Sequence, residues 1–155
     1  MEVTRKGDTG VTSLLNGEEV SKSSAVIFAL SYLDRLNAEF GLAKLNNPSL
    51  KEEITKLQNM LEKAMSRVGG GKEPLPSDDV KYLDAQIAAR GVLGGIKAFD
   101  VPGANIGEVS LHLCRTSCRI AEVCVIKAKS PADVYGFINR LSLYLFVLAH
   151  GLKEK

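Results

Sequence analysis

The sequence is short of the residues from which disulfide frameworks and metal centres are built. It holds three cysteines and two histidines in 155 residues. Cys114, Cys118 and Cys124 are odd in number, and the first two are four apart. A helix would point those two the same way but hold them poorly for a bridge. The three are expected to be reduced thiols of a cytoplasmic protein. His112 with Cys114 and Cys118 lacks zinc-knuckle spacing and has no second ligand pair downstream, so buried packing is expected there. His150 falls near a helix end, where a cation or surface residue is expected rather than a catalytic base. A strong excess of one charge is also missing. Twenty Lys and Arg against 18 Asp and Glu leave a net charge of +2, which gives no basic tail for a nucleic acid. The longest apolar run, Leu143 to Ala149, is far short of a membrane span. The opening Met1-Glu2-Val3-Thr4-Arg5 lacks the apolar core of a signal peptide. No strand pattern, internal repeat or GxxxxGK[ST] phosphate loop is present.

What is present is the ordinary material of a globular protein. Apolar residues make up 45% and charged residues 25%, enough apolar surface to offset the entropy of ordering. The length suits a single domain over 1–155, because two domains would each have a thin core. Residues 1–22 are polar and glycine-bearing, with no helical or strand period, and are expected to form a loop. Residues 23–155 carry helical periodicity. A first helix starts near Ser23 or Ser24, carries Ile27, Leu30, Leu33, Leu36 and Leu42, and stops at Asn46-Asn47-Pro48. Ser49 and Glu52 have the spacing of a capping box. A second helix follows with Ile54, Leu57, Leu61, Ala64 and Val68. Gly69 to Lys72 and Pro74-Leu75-Pro76 form a linker. Ser77-Asp78-Asp79 starts a third helix with Val80, Leu83 and Ile87, weakening at Gly94-Gly95. A fourth runs from Ala104 to Lys127, with Ile106, Val109, Leu113, Ile120 and Cys124 expected near one side. Ser130-Pro131 opens a fifth, apolar almost all round from Leu141 to Ala149 and so expected at the centre. The expected fold is all-α, a five-helix up-and-down bundle.

Four places could carry chemistry. The segment Thr4 to Ser13 packs two cations, two glycines and four hydroxyl residues into ten positions. Glycines let backbone N–H groups turn toward an anion, while Arg5 and Lys6 supply charge. A polyphosphate loop and a solvated arm both fit that composition. Arg115, Arg119 and Glu122 recur at i, i+4 and i+7 and share one helix face. Arg119 could grip a phosphate bidentately, or pair with Glu122 in a surface salt bridge of little worth. Asp34 sits among Leu30, Leu33 and Leu36 and needs a partner if buried, for which Arg115 is a candidate; exposure at a helix edge is the alternative. Asn139-Arg140 marks either a site or a rim.

These segments together resemble one family, the PduO-type ATP:cob(I)alamin adenosyltransferases. Thr4-Arg5-Lys6-Gly7-Asp8-Thr9-Gly10-Val11-Thr12-Ser13 resembles its T-K-T-G-D-x-G-x-T signature, with Val20-Ser21-Lys22 following in place. Leu33-Asp34-Arg35-Leu36-Asn37 resembles V-D-E-L-N. Phe99-Asp100-Val101-Pro102-Gly103 resembles F-I-L-P-G. Arg115-Thr116-Ser117-Cys118-Arg119-Ile120-Ala121-Glu122 resembles R-T-x-C-R-R-A-E, and Asn139-Arg140-Leu141-Ser142 resembles N-R-L-S. Five blocks in order span essentially the whole chain.

The resemblance implies a homotrimer with active sites between neighbouring subunits. It implies transfer of the 5′-deoxyadenosyl group of ATP to the cobalt of cob(I)alamin, with Mg²⁺ as cofactor and triphosphate as product. By matching position, Thr4, Arg5, Lys6, Gly7, Asp8, Gly10, Thr12, Ser13 and Lys22 would wrap the triphosphate. Arg119, Glu122 and Asn139 would complete the ATP site, with Arg119 catalytic and Glu122 at the metal. Asp34 and Arg115 would form a structural ion pair. Phe99 would bind cobalamin from beneath and act in catalysis by displacing the lower cobalt ligand. A reductase and a cobalamin-dependent acceptor enzyme are the implied protein partners; no nucleic acid or membrane is. The chain departs from the pattern at Val26, Phe28, Ser31, Arg35, Asp100, Ala104, Ile120 and Leu143. A diverged nucleotide or corrinoid binder without turnover is therefore the alternative, and a purely structural oligomer a third reading.

Overall fold

The computed structural model describes residues 7–91 and 101–153. Among them are five α-helices and one short hairpin. The hairpin pairs β1 (Val11–Ser13) antiparallel with β2 (Glu19–Ser21), Thr12 opposite Val20. The expectation of an unstructured loop without strands is corrected here. Three-residue strands are too short to show a period. The signal was in the turn: Asn16-Gly17 is a strong hairpin dipeptide. Gly17 takes φ +86°, and Asn16 Oδ1 accepts from Glu18 N at 3.0 Å.

The helices are α1 (Ala25–Asn46), α2 (Lys51–Val68), α3 (Ser77–Arg90), α4 (Ile106–Lys127) and α5 (Ala132–His150). A 3₁₀ turn, Pro48–Leu50, joins α1 to α2 and contains Ser49. The α2 N-terminus therefore has Leu50 at its cap with no side-chain bond, and the expected Ser49–Glu52 capping box does not form. Third-helix periodicity ends earlier than expected, at Arg90, where Gly91 adopts the left-handed conformation that closes many helices. Gly94-Gly95 lies outside the described residues. Pro131, rather than Ser130, occupies the α5 cap position.

Contacts along the helices fix their directions. Asn47, at the end of α1, donates through Nδ2 to Gly107 O at the start of α4. Gln58 on α2 bonds Asn37 on α1, and Asn105 reaches Leu152 beyond α5. These pairs are antiparallel. On α3, Asp84 meets Arg140, and Arg90 lies over the Tyr144 ring further along α5, so α3 and α5 run parallel. The result is the alternating bundle expected. α1 packs mainly on α4 and α2, α4 on α5, and α3 on α5.

The core draws on the expected stripes of α1 to α3, including Leu33, Leu36, Ile54, Leu57, Leu61, Ala64, Leu83 and Ile87. α5 is long and apolar enough to cross a membrane by composition alone, yet more than half of it is buried as the central helix. On α4 the expected inward face is corrected. Its buried residues are Gly107, Glu108, Ser110, Leu111, His112, Cys114, Ser117, Cys118, Ala121 and Val125. Ile106 is 68% exposed, Leu113 44% and Ile120 42%. The larger side chains were mistaken for the core face because the true one is built from small residues. Small residues let α1 and α5 approach α4 closely.

Candidate active site

The glycine-bearing segment becomes a shaped loop by backbone geometry. Gly10 holds φ +80°, a conformation L side chains rarely adopt. Its N–H points back to Gly7 O at 3.4 Å, and its carbonyl accepts from Lys22 N at 2.8 Å. A Cβ on Gly7 would fall 2.7 Å from Lys22 Nζ, so glycine lets that ammonium lie against the loop. The hairpin thus joins Gly7, Asp8 and Gly10 to Lys22, twelve or more positions later. Asp8, Ser13 and Lys22 are exposed and Thr12 is half-buried. Thr12 and Ser13 face a groove of about 380 Å³ shared with Ile27, Leu30, Met65 and Gly69. Leu15 N donates to Gly69 O at 2.8 Å and moors the hairpin to the end of α2. Thr4, Arg5, Lys6 and Phe99 lie outside the described residues.

The second group rises from α4 and α5. Arg119 is exposed and Glu122 half-buried on α4; Asn139 is exposed on α5. Cys118 Sγ donates to Ile138 O at 3.5 Å, which sets Arg119 and Asn139 at one height in the bundle. No described hydrogen bond or ion pair links this group to residues 7–22 within the chain. Burial pushes the Cys118 thiol well up, and Cys114 up to about 12. Both are thereby poor nucleophiles.

Asp34 is exposed on α1, and Arg115 is half-buried on α4. The described contacts do not include a pair between them; Arg115 Nε donates to His112 Nδ1 at 3.1 Å. Arg35, where the resemblance has glutamate, bridges to Glu39 one turn on at 2.9 Å. Arg140 belongs to the rim, bound to Asp84 at 2.7 Å. Gly69 to Lys72 is a linker, its Gly71 and Lys72 carbonyls held by Arg67 Nη1.

One buried group was not anticipated. Glu108 is fully enclosed at the start of α4, and its Oε2 accepts from Gly103 N and Ala104 N at 2.9 and 3.2 Å. Burial would raise its carboxyl. The two amides, then His112 and Lys153, outweigh that and hold it below the usual carboxylate range. The signal was available as Asn105-x-x-Glu108, a capping-box pattern.

Residues 2–152 match the family described as cobalamin adenosyltransferase. This chain belongs to that family. A cobalamin adenosyltransferase of Cupriavidus metallidurans is 33% identical, covering 97% of this chain and 87% of its own length. Among solved structures, a variant of the PduO-type ATP:corrinoid adenosyltransferase of Lactobacillus reuteri, complexed with ATP, superposes with a TM-score of 0.88 at 25% identity. That match covers 99% of this chain and 94% of the other. A second variant of that enzyme, complexed with cobalamin and ATP, gives 0.89 at 23% identity over 99% and 91% of the two chains, a likeness of fold.

Proposed function

We propose that this adenosyltransferase acts on ATP and a reduced corrinoid substrate, with the residues carried over from the sequence pattern in the roles given there. The cobalt–carbon bond forms with the electron pair of cob(I)alamin. The bond from carbon 5′ to oxygen breaks, and triphosphate leaves with the electron pair of that broken bond. The substrate is itself the nucleophile, so the protein needs no activated Ser, Cys or His. It must align carbon 5′ and neutralise the leaving group.

The observation that carries this reading is the Gly7–Gly10 turn closed over Lys22. It sets the Lys22 ammonium against a turn that Gly7 leaves clear of side chain, and a positive charge beside glycine backbone suits an anion. Thr4, Arg5, Lys6, Asp8, Thr12 and Ser13 extend that surface around the triphosphate. Arg119 and Asn139 meet the nucleotide from α4 and α5, Arg119 opposing charge that develops as triphosphate departs. Mg²⁺ suits the half-buried Glu122, since that ion is held by one or two carboxylates together with substrate phosphates and water. When bound, it lowers the charge of the leaving group. Phe99 lies beneath the corrin, and Asp34 with Arg115 forms an ion pair across the assembled site.

The assembly in this reading is a homotrimer of single-domain chains, each with a 1–22 nucleotide loop and a 23–155 bundle. Two features support sites between subunits. The loop and the Arg119 group share no described polar contact within one chain. In addition, α1 and α4 leave Phe28, Ile120 and Val123 exposed along one groove. Reduced thiols suit a cytoplasmic setting. A reductase supplies the cob(I)alamin state, and a corrinoid-dependent enzyme takes the product.

The test is anaerobic mixing of the protein with cob(I)alamin, ATP and Mg²⁺, followed in the visible spectrum. The cob(I)alamin band should fall as a light-sensitive alkylcobalamin spectrum grows. ATP binding without spectral change would replace the enzyme with a non-catalytic binder. Arg119→Ala should cut turnover by about 10²-fold or more while the trimer persists in size-exclusion chromatography. Unchanged turnover would remove Arg119 from its role.

A further inference from the structure

The Glu108 cluster extends beyond a helix cap. Residues 108, 112 and 115 are spaced i, i+4 and i+7 and so share one face of α4. His112 is 3% exposed. Its Nε2 lies 3.1 Å from Glu108 Oε1, at ion-pair distance but off the line of an ideal hydrogen bond. Its Nδ1 accepts from Arg115 Nε at 3.1 Å. Arg115 can only donate, so Nδ1 must carry a lone pair. In the neutral ring the proton then sits on Nε2, facing the Glu108 carboxylate. Phe146 closes the ring's flank, centroids 6.4 Å apart and tilted 63°.

The other end of this line is a turn. Glu108 Oε2 binds the Gly103 and Ala104 amides, while Lys153 Nζ donates to Val101 O and lies 3.7 Å from Glu108 Oε1. A continuous set of polar contacts therefore runs from the Val101–Ala104 turn through Glu108 and His112 to Arg115. An enclosed carboxylate and imidazole are costly unless satisfied. Leucine or phenylalanine would fill the same space at less cost. What the polar line adds is direction: one tautomer, one setting of Arg115, and one place for the turn.

We propose that Glu108 and His112 are positioning residues for adenosyl transfer, His112 by fixing the Arg115 guanidinium and Glu108 by tying the Val101–Ala104 turn to α4. This rests on the adenosyltransferase reading, which gives roles at the site to Arg115 and to Phe99, two positions before Val101. Neither residue touches substrate.

The test uses the ring's geometry. Asparagine places an amide oxygen near the position of Nδ1, and glutamine places its amide near Nε2. His112→Asn keeps an acceptor for Arg115, whereas His112→Gln loses it and His112→Phe loses both links. The expected result is a ten- to a hundredfold (about) drop in kcat/KM for cob(I)alamin in the Gln and Phe variants. His112→Asn should stay within about threefold of the parent, and Kd for ATP within about twofold in all. Glu108→Gln should raise KM for the corrinoid more than it lowers kcat. A second readout needs no substrate. Nitrogen-15 NMR of the histidines, with His150→Gln to assign them, should show His112 as the Nε2–H tautomer. A wild type that turns over while the Gln and Phe variants match it, or an Nδ1–H ring, overturns this proposal alone. Equal loss in the Asn, Gln and Phe variants, with a common fall in melting temperature, reduces His112 to packing and overturns it too. A wild type without turnover overturns the adenosyltransferase reading, and this proposal with it.

Discussion

Tyr144 has no exposed surface, and its hydroxyl donates to Glu53 Oε1 at 2.8 Å. Tyr82 donates to the same carboxylate at 2.7 and 2.8 Å. Lys56 Nζ sits 3.2 Å from the Tyr82 ring centre and Arg90 5.1 Å from that of Tyr144. One carboxylate thus ties α2, α3 and α5 together. Burial first, and the hydrogen bond to Glu53 second, push Tyr82 up to about 12 and Tyr144 further in the same direction. The folded state keeps these protons at a pH where the unfolded chain has lost them. Their contribution to stability is complete below about pH 10 and declines as pH rises above it. Melting temperature should therefore fall between about pH 10 and 12, and Tyr82→Phe should flatten that decline. At neutral pH the same substitution should cost about 1–2 kcal/mol in urea unfolding, because Glu53 loses a donor. An unchanged alkaline limb would show that other groups govern it. None of this was legible in sequence, where Glu53 and Tyr82 stand 29 positions apart.

Helix ends show how local signals divide into those that act and those that do not. Ser49-x-x-Glu52 and Asn105-x-x-Glu108 carry the same spacing. Pro48 draws Ser49 into a 3₁₀ turn, so the first pattern is spent on the α1–α2 connection. The second caps its helix: Asn105 is extended and its Oδ1 accepts from Glu108 N at 2.8 Å, while the Glu108 carboxylate reaches back to Gly103 N and Ala104 N rather than to Asn105 N. Asn105→Ala should destabilise the protein by about 1 kcal/mol, measured by urea unfolding. A loss well under half of that would mean water replaces the cap. Close approach of α1 and α4 also depends on a single residue. A Cβ on Gly107 would collide with Asn47 Oδ1, so the start of α4 can lie against Asn47 only because the residue there has no side chain.

The bundle as a whole presents an unfinished surface. Phe28, Tyr32, Ile120, Val123 and Cys124 line a groove of about 470 Å³ between α1 and α4. Phe28 and Ile120 stand where the family pattern has an acid and an arginine. Two departures far apart in sequence therefore meet in one place, exchanging charged positions for apolar ones. Burial between subunits of the proposed trimer would account for both changes. Ile120→Glu should shift the protein from trimer to monomer in light scattering and depress turnover, with helical content unchanged by circular dichroism. An intact trimer would move the interface elsewhere. The helices, their order and the family blocks were determined by sequence alone, because periodicity, glycine and proline punctuation and motif spacing act over a few residues. Helices α2, α3 and α5 could be assigned a buried stripe in that way, and so could α1 except at Leu42, expected inside but 47% exposed. The inward face of α4, the Gly7–Lys22 closure and the Glu108–His112–Arg115 line were decided only by tertiary structure. Their physical reason is common: each depends on how closely separate segments approach, and close approach is set by packing rather than by any residue's own preference.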